Sequence, residues 1–550
     1  MSENSNLRWW QRGVIYQIYP RSFQDSTGNG IGDLSGIIDR LDYLNDGTPQ
    51  SLGVDAIWLS PIYPSPMADF GYDVADYCNI HPDFGDLATF DRLVAEAGRR
   101  GIKIIMDWVP NHTSDRHPWF LESRRSRTSP KRDWYIWRDP KPDGSLPNNW
   151  GAAFGGPAWT LDEATGQYYL HQFLTEQPEL NWRNPELQAA MYDVLRFWFK
   201  RGVAGFRIDV IGFLIKDADL RDNPPNPDAD PNLPPEDIYG RQLRIYTEHQ
   251  PEVHDLIREF RRIADEYGPG PGGRDGETCL IGEVWHNDFQ RWVKYYGENG
   301  AGLHLPFNFG LMSRRWRVHD LRTYIDRMDG RLPPWAWPNQ VLGNHDVPRI
   351  ASRVGPAQAP NAAMLLLTLR GTPFLYYGDE LGMENGVIPR DKGRDPQGLV
   401  LGMDRSRDVC RTPMQWDAGP NAGFTAPTAE PWLPVSAGYK TRNVAVQSAD
   451  SHSMLSLCRR LLWYRRATPA LYGGAYRSLD AGDGRCFVYL RQAADQRRLV
   501  ALNLTAEEAT ISVPDEPRGR VALSTYLDRQ GDEPLFRLPL RPNEGLIVEL

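Results

Sequence analysis

Short β-branched or aromatic runs alternate with stretches of helical spacing through most of the chain. Such runs lie at 14–19, 55–60, 103–109, 205–210 and 279–285, and further ones at 304–309, 340–343 and 372–377. Between them, 90–100 and 187–201 place apolar residues three and four apart, the spacing of a helix with one buried face. Strands alternating with helices predict a parallel sheet with helical crossovers. Eight strands close a (β/α)8 TIM barrel, so an α/β barrel is the expected fold. The rival open, doubly wound sheet normally carries a glycine-rich turn after its first strand. Tyr19-Pro20-Arg21 stands there instead.

Two stretches break the alternation. Residues 113–182 are rich in Trp, Gly and Pro and lack a helix where the third would fall, so they are read as a small domain inserted after strand three. Residues 217–240 contain Asn-Pro-Pro-Asn-Pro and Leu-Pro-Pro-Glu, which the interior of a helix or a central strand does not accept. Long irregular loops in compact domains commonly act as lids. From residue 473 the pattern turns to short alternating strands at 486–491, 499–504, 510–513, 520–524 and 545–550, the signature of an antiparallel β domain. The expected division is a barrel from 1–112 and 183–472, an insert at 113–182 and a C-terminal β domain at 473–550.

Composition narrows the class. Of 550 residues, 41% are hydrophobic and 24% charged, which excludes a disordered chain. Lys and Arg number 62 against 71 Asp and Glu, a net charge of −9 with no basic footprint for nucleic acid and no polybasic membrane patch. No apolar run approaches the ~20 residues that cross a bilayer. The start, MSENSNLRWWQRG, lacks the charged and apolar regions of a secretory signal, so a cytoplasmic protein is expected. The five cysteines form no CxxC pair, which argues against a zinc site or a disulfide framework.

In a barrel, residues at the C-terminal ends of the strands project into a shared mouth. Three runs lead to an acid there: Asp209 after Gly-Phe-Arg-Ile, Glu283 after Leu-Ile-Gly, and Asp346 in Gly-Asn-His-Asp. Arg207 precedes Asp209 by two residues and so faces the same side of its strand, and Asn111-His112 closes the third run. Cleaving an acetal between sugars needs one carboxyl to protonate the leaving oxygen and another to attack the anomeric carbon. A nearby Arg favours the ionised form of the nucleophile, while burial and a neighbouring negative charge keep the acid protonated. One isolated acid would read as a helix cap or ion-pair partner. Three at corresponding positions point to a site.

DWVPNH (107–112), GFRID (205–209), GEVW (282–285) and GNHD (343–346) appear in the order of the four signature regions of the α-amylase superfamily, glycoside hydrolase family 13, and closely resemble them. WWQRGVIYQIYPRSF near the start, ADFGYDVADY (68–77), QPELN (177–181) and RTPMQWD (411–417) resemble its exo-acting α-glucosidase and oligo-1,6-glucosidase branch. That branch usually reads QPDLN where Glu179 stands here. The resemblance implies a catalytic barrel, an inserted B domain and a C-terminal β-sandwich. It makes Asp209 the nucleophile and Glu283 the general acid/base. Asp346 would grip sugar hydroxyls and strain the ring, His112 and His345 would bond hydroxyls of the same glucose, and Arg207 would orient Asp209. Tyr72 would stack on that glucose, with Phe154 and Phe173 lining the pocket. Asp69 and Arg411 match a pair that closes the pocket beyond the terminal glucose, and Val210 matches a position where Val accompanies α-1,6 cleavage.

The implied activity is an exo-acting, retaining α-glucosidase taking α-glucose from short α-1,4- or α-1,6-linked glucosides, with a disaccharide or oligosaccharide as its substrate, no nucleic-acid or membrane partner, and no cofactor needed for the chemistry. A transglucosylase or an isomerase acting on trehalose or sucrose would use the same site. Asp25, Thr27, Asn29, the Ile31 carbonyl and Asp33 have the spacing of a metal loop seen in many relatives. A structural calcium or magnesium ion there wants several oxygen ligands. Thr27 and Asn29 bring no charge, and Gly36 stands where an EF-hand needs Glu, so the loop is either a weak ion site or a polar turn without metal.

Overall fold

The computed structural model describes residues 7–268, 277–286, 288–481, 484–493 and 495–550; the first six residues, read above for a leader, lie outside them. Eight parallel strands form a nearly closed barrel: β1 (Ile15–Ile18), β2 (Ala56–Leu59), β3 (Lys103–Trp108), β4 (Gly205–Ile208), β5 (Cys279–Gly282), β6 (Leu305–Pro306), β7 (Asn339–Val341) and β8 (Thr372–Tyr376). Each falls in one of the predicted runs except that β7 starts one residue before its run. Their pairing follows β7-β8-β1-β2-β3-β4-β5-β6. Between β6 and β7 the Asn339 side chain replaces the ladder, donating to the Pro306 carbonyl at 2.6 Å and accepting from the Asn308 N–H at 2.9 Å.

Alternation along the strands divides the core in two. Ile15, Ala56, Trp58, Ile105, Cys279, Ile281 and Phe374 fill the barrel interior with Phe307. Their neighbours Tyr16, Ile57, Ile104, Phe206 and Leu280 pack outward under the helices. Gly205 lets β4 lie close against β5, because a Cβ there would meet the Cys279 carbonyl oxygen at 2.1 Å. The predicted helices appear as α1 (Leu87–Arg99) and α2 (Pro185–Lys200). Their starts are set by Asp86 accepting from the Thr89 N–H and by Asn184 accepting from Glu186 and Leu187.

The strands stop earlier than the runs suggest. Asp209 and Glu283 each lie one residue past a strand end, and Asp346 lies five residues beyond β7, in a turn. These acids therefore stand on the rim rather than finishing the strands. Trp159–Asp162, Gln167–Leu170 and Trp137–Arg138 make a small antiparallel sheet within 113–182. The proline-rich loop packs on this segment: Asn148 and Trp150 donate to the Leu220 and Arg221 carbonyls. At the C-terminus six antiparallel strands from Ala475–Leu479 to Gly545–Glu549 form one sheet, and Ala509–Ile511 pairs with Leu538–Leu540. No helix among the described residues is long and apolar enough to cross a membrane.

Two buried arginines brace the seam between the barrel and the C-terminal sheet, Arg491 across it and Arg465 on its barrel side, and among the described residues no carboxylate is bonded to either. Arg465 donates to the carbonyls of Leu367 and Leu471 at 3.0 Å and of Gly371 at 2.8 Å. Arg491 donates to those of Thr368 and Gly474. Together they satisfy carbonyls where the chain turns into β8, which would otherwise be buried without donors. Arg465→Met is expected to remove about 3 kcal/mol or more of stability, lowering the thermal unfolding midpoint by several degrees. An unchanged midpoint would contradict this role.

Candidate active site

The site is built around one guanidinium. On β4 and β5, residues 205, 207 and 279, 281 point inward, and the same alternation carries Asp209 and Glu283 to the barrel mouth. Asp107 on β3 lies opposite Arg207 on β4. The Arg207 side chain, 1% exposed, holds Asp107 at 2.8 Å and Asp209 at 2.6 Å with one nitrogen and Glu283 at 2.5 Å with the other. Trp58 Nε1 and the Tyr72 hydroxyl each donate to Asp107 Oδ2 at 3.1 Å. Glu283 also accepts the Val210 N–H at 3.0 Å and Trp285 Nε1 at 2.7 Å. Asp209 Oδ2 receives no donor from the described residues, so its lone pairs are free toward the hollow.

The Val210 N–H reaches Glu283 because the backbone turns left-handed there, with φ 34° and ψ 45°. A β-branched residue in that region carries about 1–3 kcal/mol of strain. The strained turn thus aims a donor at Glu283.

Three carboxyls around one guanidinium cannot all be ionised cheaply in a dry setting. Burial pushes Asp107 up to about 7 against the pull of Arg207. Burial also raises Asp209 well above the usual carboxylate range; Arg207 opposes the rise, while Glu283 and Asp107 add to it. Asp107 and Asp209, bonded to one nitrogen of Arg207, are thus coupled in their titration.

Asp346 behaves oppositely. Burial would raise it, but His345, Arg407 and Arg411 hold it well below the usual range. His345 is itself pushed well below its ordinary value by burial, so the two arginines are the lasting counter-charge. Burial likewise lowers His112 to about 3, leaving it neutral.

Asp69, Tyr72, His112, Phe154, Phe173, Asp209, Val210, Glu283, His345 and Asp346 line one hollow of about 990 Å³, open at its mouth. Arg207 and Arg411 lie beneath it. The ring nitrogens of His345 already meet Gln17 at 2.8 Å and the Tyr72 hydroxyl at 2.7 Å, and Tyr72 stacks on that imidazole at 5.4 Å. Those of His112 meet Asn111 at 3.1 Å, and Gln177 at 3.1 Å together with the Tyr72 carbonyl.

The expected Asp69–Arg411 pair is not formed. Arg407 takes Asp69 at 2.8 Å, Asp395 at 2.6 Å and Asp346 at 3.4 Å, with its guanidinium 4.7 Å from the centre of the Phe154 ring. Arg411 instead donates to Asp346 at 3.1 Å and to the His345 carbonyl at 2.8 Å. The two arginines flank a short turn, Arg407–Cys410, which sends one across the hollow and the other under it. Nothing in the spacing of two arginines four apart says which does which. Asp395 comes from a separate loop and has no motif of its own. Asp107 was legible from strand parity, two residues after inward Ile105. Glu179 is buried, accepting from Asn111 at 2.8 Å and pairing with Lys216 at 2.9 Å, so it braces the segment that carries His112.

In the 25–33 loop, Asp25 accepts the N–H groups of Thr27, Gly28 and Gly30 and the Thr425 hydroxyl. Asp33 accepts the Ser26 and Gly36 N–H groups, and Asn29 accepts that of Ile31. Asp25 accepts donors on both oxygens, whereas Asp33 Oδ2 accepts the Ser26 N–H alone, so the loop is shaped by its own hydrogen bonds. Among the described residues no group of three or more His, Cys, Asp or Glu is arranged to hold a metal.

The family profile described as "Alpha amylase, catalytic domain" matches residues 17–474. The chain belongs to the α-amylase family. Within that family it is 42% identical to a probable alpha-glucosidase of Rhizobium meliloti, over 92% of this chain and 91% of that protein. It is 38% identical to an oligo-1,6-glucosidase of Heyndrickxia coagulans, over 98% and 99%. Among solved structures, an alpha-glucosyl transfer enzyme superposes with a TM-score of 0.89 at 39% identity, covering 99% of this chain and 100% of that one. A trehalulose synthase of Pseudomonas mesoacidophila superposes with a TM-score of 0.86 at 35% identity, with the same coverage.

Arg407 is the counter-charge for buried Asp69 and Asp395. Without it the pKa of Asp69, already raised by burial, climbs further, and Asp395 loses the pull that holds it low, so the stability they contribute is present at acid pH and lost as pH rises. Arg407→Met is expected to cost about 3–5 kcal/mol near neutrality. The gap in unfolding midpoint from the parent should be wider at about pH 8 than at about pH 5. A gap that stays constant, or narrows with rising pH, would contradict the pairing.

Proposed function

We propose that the chain is an exo-acting, retaining α-glucosidase that releases α-glucose from the non-reducing end of short α-glucosides, α-1,6-linked ones among them. The observation that carries this reading is the placing of Asp209 and Glu283 on one guanidinium at the edge of a hollow whose far side is blocked by the Asp69–Arg407 pair. A blocked hollow admits a chain end and excludes the middle of a polysaccharide.

In the proposed cycle, Asp209 Oδ2 attacks the anomeric carbon while Glu283 gives its proton to the glycosidic oxygen, and the aglycone leaves. The glucosyl-aspartate is then opened by water, which returns a proton to Glu283 and leaves glucose in the α configuration. Asp346, kept ionised by Arg407 and Arg411, accepts hydrogen bonds from glucose hydroxyls. Val210, whose N–H meets Glu283, stands beside the leaving group, where its side chain discriminates between linkage geometries. One such contact is worth about 1–3 kcal/mol.

A second reading is supported by the solved relatives named as a glucosyl transfer enzyme and a trehalulose synthase. It has a sugar rather than water open the same intermediate. Chromatography of products from maltose, isomaltose, sucrose and trehalose separates the two: free glucose as the main product supports hydrolysis, and transfer or isomerised products support the second reading.

Proton NMR during cleavage of an aryl α-glucoside, whose aglycone is not a sugar, should show α-glucose first, with the β anomer following by mutarotation. Glu283→Gln should lower kcat on maltose by about 10²–10⁴-fold with an unchanged unfolding midpoint. β-Glucose appearing first, or full activity in the variant, would sink the proposed mechanism.

A further inference from the structure

Beyond the glucose-sized hollow, the barrel mouth continues into a second cavity of about 1690 Å³, open to solvent, which shares Arg244 and Trp285 with it. Trp285 Nε1 is bonded to Glu283, so this cavity begins at the carboxyl assigned to protonate the leaving group. Whatever glucose is attached to must extend into it.

The two walls differ in chemistry. Near Glu283 the wall is aromatic: Trp285 packs on Phe309 at 4.2 Å between ring centres, with Phe289 and Phe307 alongside. The outer wall carries Arg314, Arg315 and Arg327, with Asp320 the one acid among the residues lining the cavity. Neighbouring Arg322 lies against Asp326 and Asp480. No carboxylate of the described residues pairs with Arg314, Arg315 or Arg327; Arg314 reaches only the Gly310 carbonyl and the Tyr324 ring. In a protein of net charge −9, three guanidiniums against one carboxylate around one concavity form a local positive field. The guanidinium fork matches phosphate and carboxylate oxygens, and apolar walls strengthen the attraction by excluding water.

We propose that this cavity binds the aglycone and that the preferred substrates are α-glucosides whose aglycone bears an anionic group, a phosphate or a carboxylate. The inference rests on the glucosidase reading of the adjoining hollow. Neutral glucosides would then be the poorer substrates of the same centre.

The test measures kcat/KM of the full chain on two matched pairs: maltose 1-phosphate against maltose, and maltobionate against maltitol. Each anionic member should be preferred by about tenfold or more at low ionic strength. The preference should shrink at ~300 mM salt and fall toward unity in the double variant Arg315→Gln/Arg327→Gln, with each neutral partner as internal reference. Preference for only one of the two anions supports the proposal and names the group. Equal or better turnover of the neutral member in both pairs overturns it, as does a preference that the double variant leaves intact. Loss of all turnover, neutral and anionic alike, sinks the glucosidase reading along with it. Cleavage of maltose without any anionic preference sinks this inference alone.

Discussion

A single buried guanidinium sets the geometry of the barrel mouth. Arg207 has one place to go, into the interior layer of β4, and once there it must be matched by acids. Parity of the strands delivers them: Asp107 opposite it on β3, Asp209 two residues on, and Glu283 from β5. Removing the arginine would leave three buried carboxyls in mutual repulsion. The same contact that makes the rim stable therefore brings Asp209 and Glu283 together at the edge of one hollow.

A few ångströms away the same residue types are combined to the opposite effect. Arg407 and Arg411 face Asp346, Asp69 and Asp395, two positive charges for three negative ones, against one for three around Arg207. Asp346 and Asp395 are accordingly held low, whereas Asp209 and Asp107 are raised where three acids share one arginine. One barrel rim thus carries acids raised around Arg207 and a permanently ionised one beside Arg407 and Arg411, two kinds of carboxyl that acetal cleavage draws on.

Much of this was legible in the chain. The eight strand runs could be read because barrel strands are buried on both faces, and the acids because strand parity aims them at one mouth. What could not be read is whatever depends on how loops cross. Arg407 and Arg411 are equally basic and lie four residues apart, and only the turn between them decides that Arg407 meets Asp69. Asp395 approaches from a separate loop, and the left-handed turn at Val210 is imposed by the rim against the residue's own preference. In the 25–33 loop the spacing of oxygen ligands was present, but the backbone donors that occupy them belong to the loop's path, which spacing does not specify. Side-chain pattern gave the inner layer; backbone path gave the walls.

The account stands on Asp209 being the carboxyl whose free oxygen meets the anomeric carbon while Glu283 holds the proton. Incubation with 5-fluoro-α-D-glucosyl fluoride, which slows opening of the covalent intermediate more than its formation, followed by peptide mapping with mass spectrometry, tests this directly. The account predicts one hexosyl adduct per chain, carried on Asp209. An adduct on Glu283, Asp107 or Asp346 would contradict it.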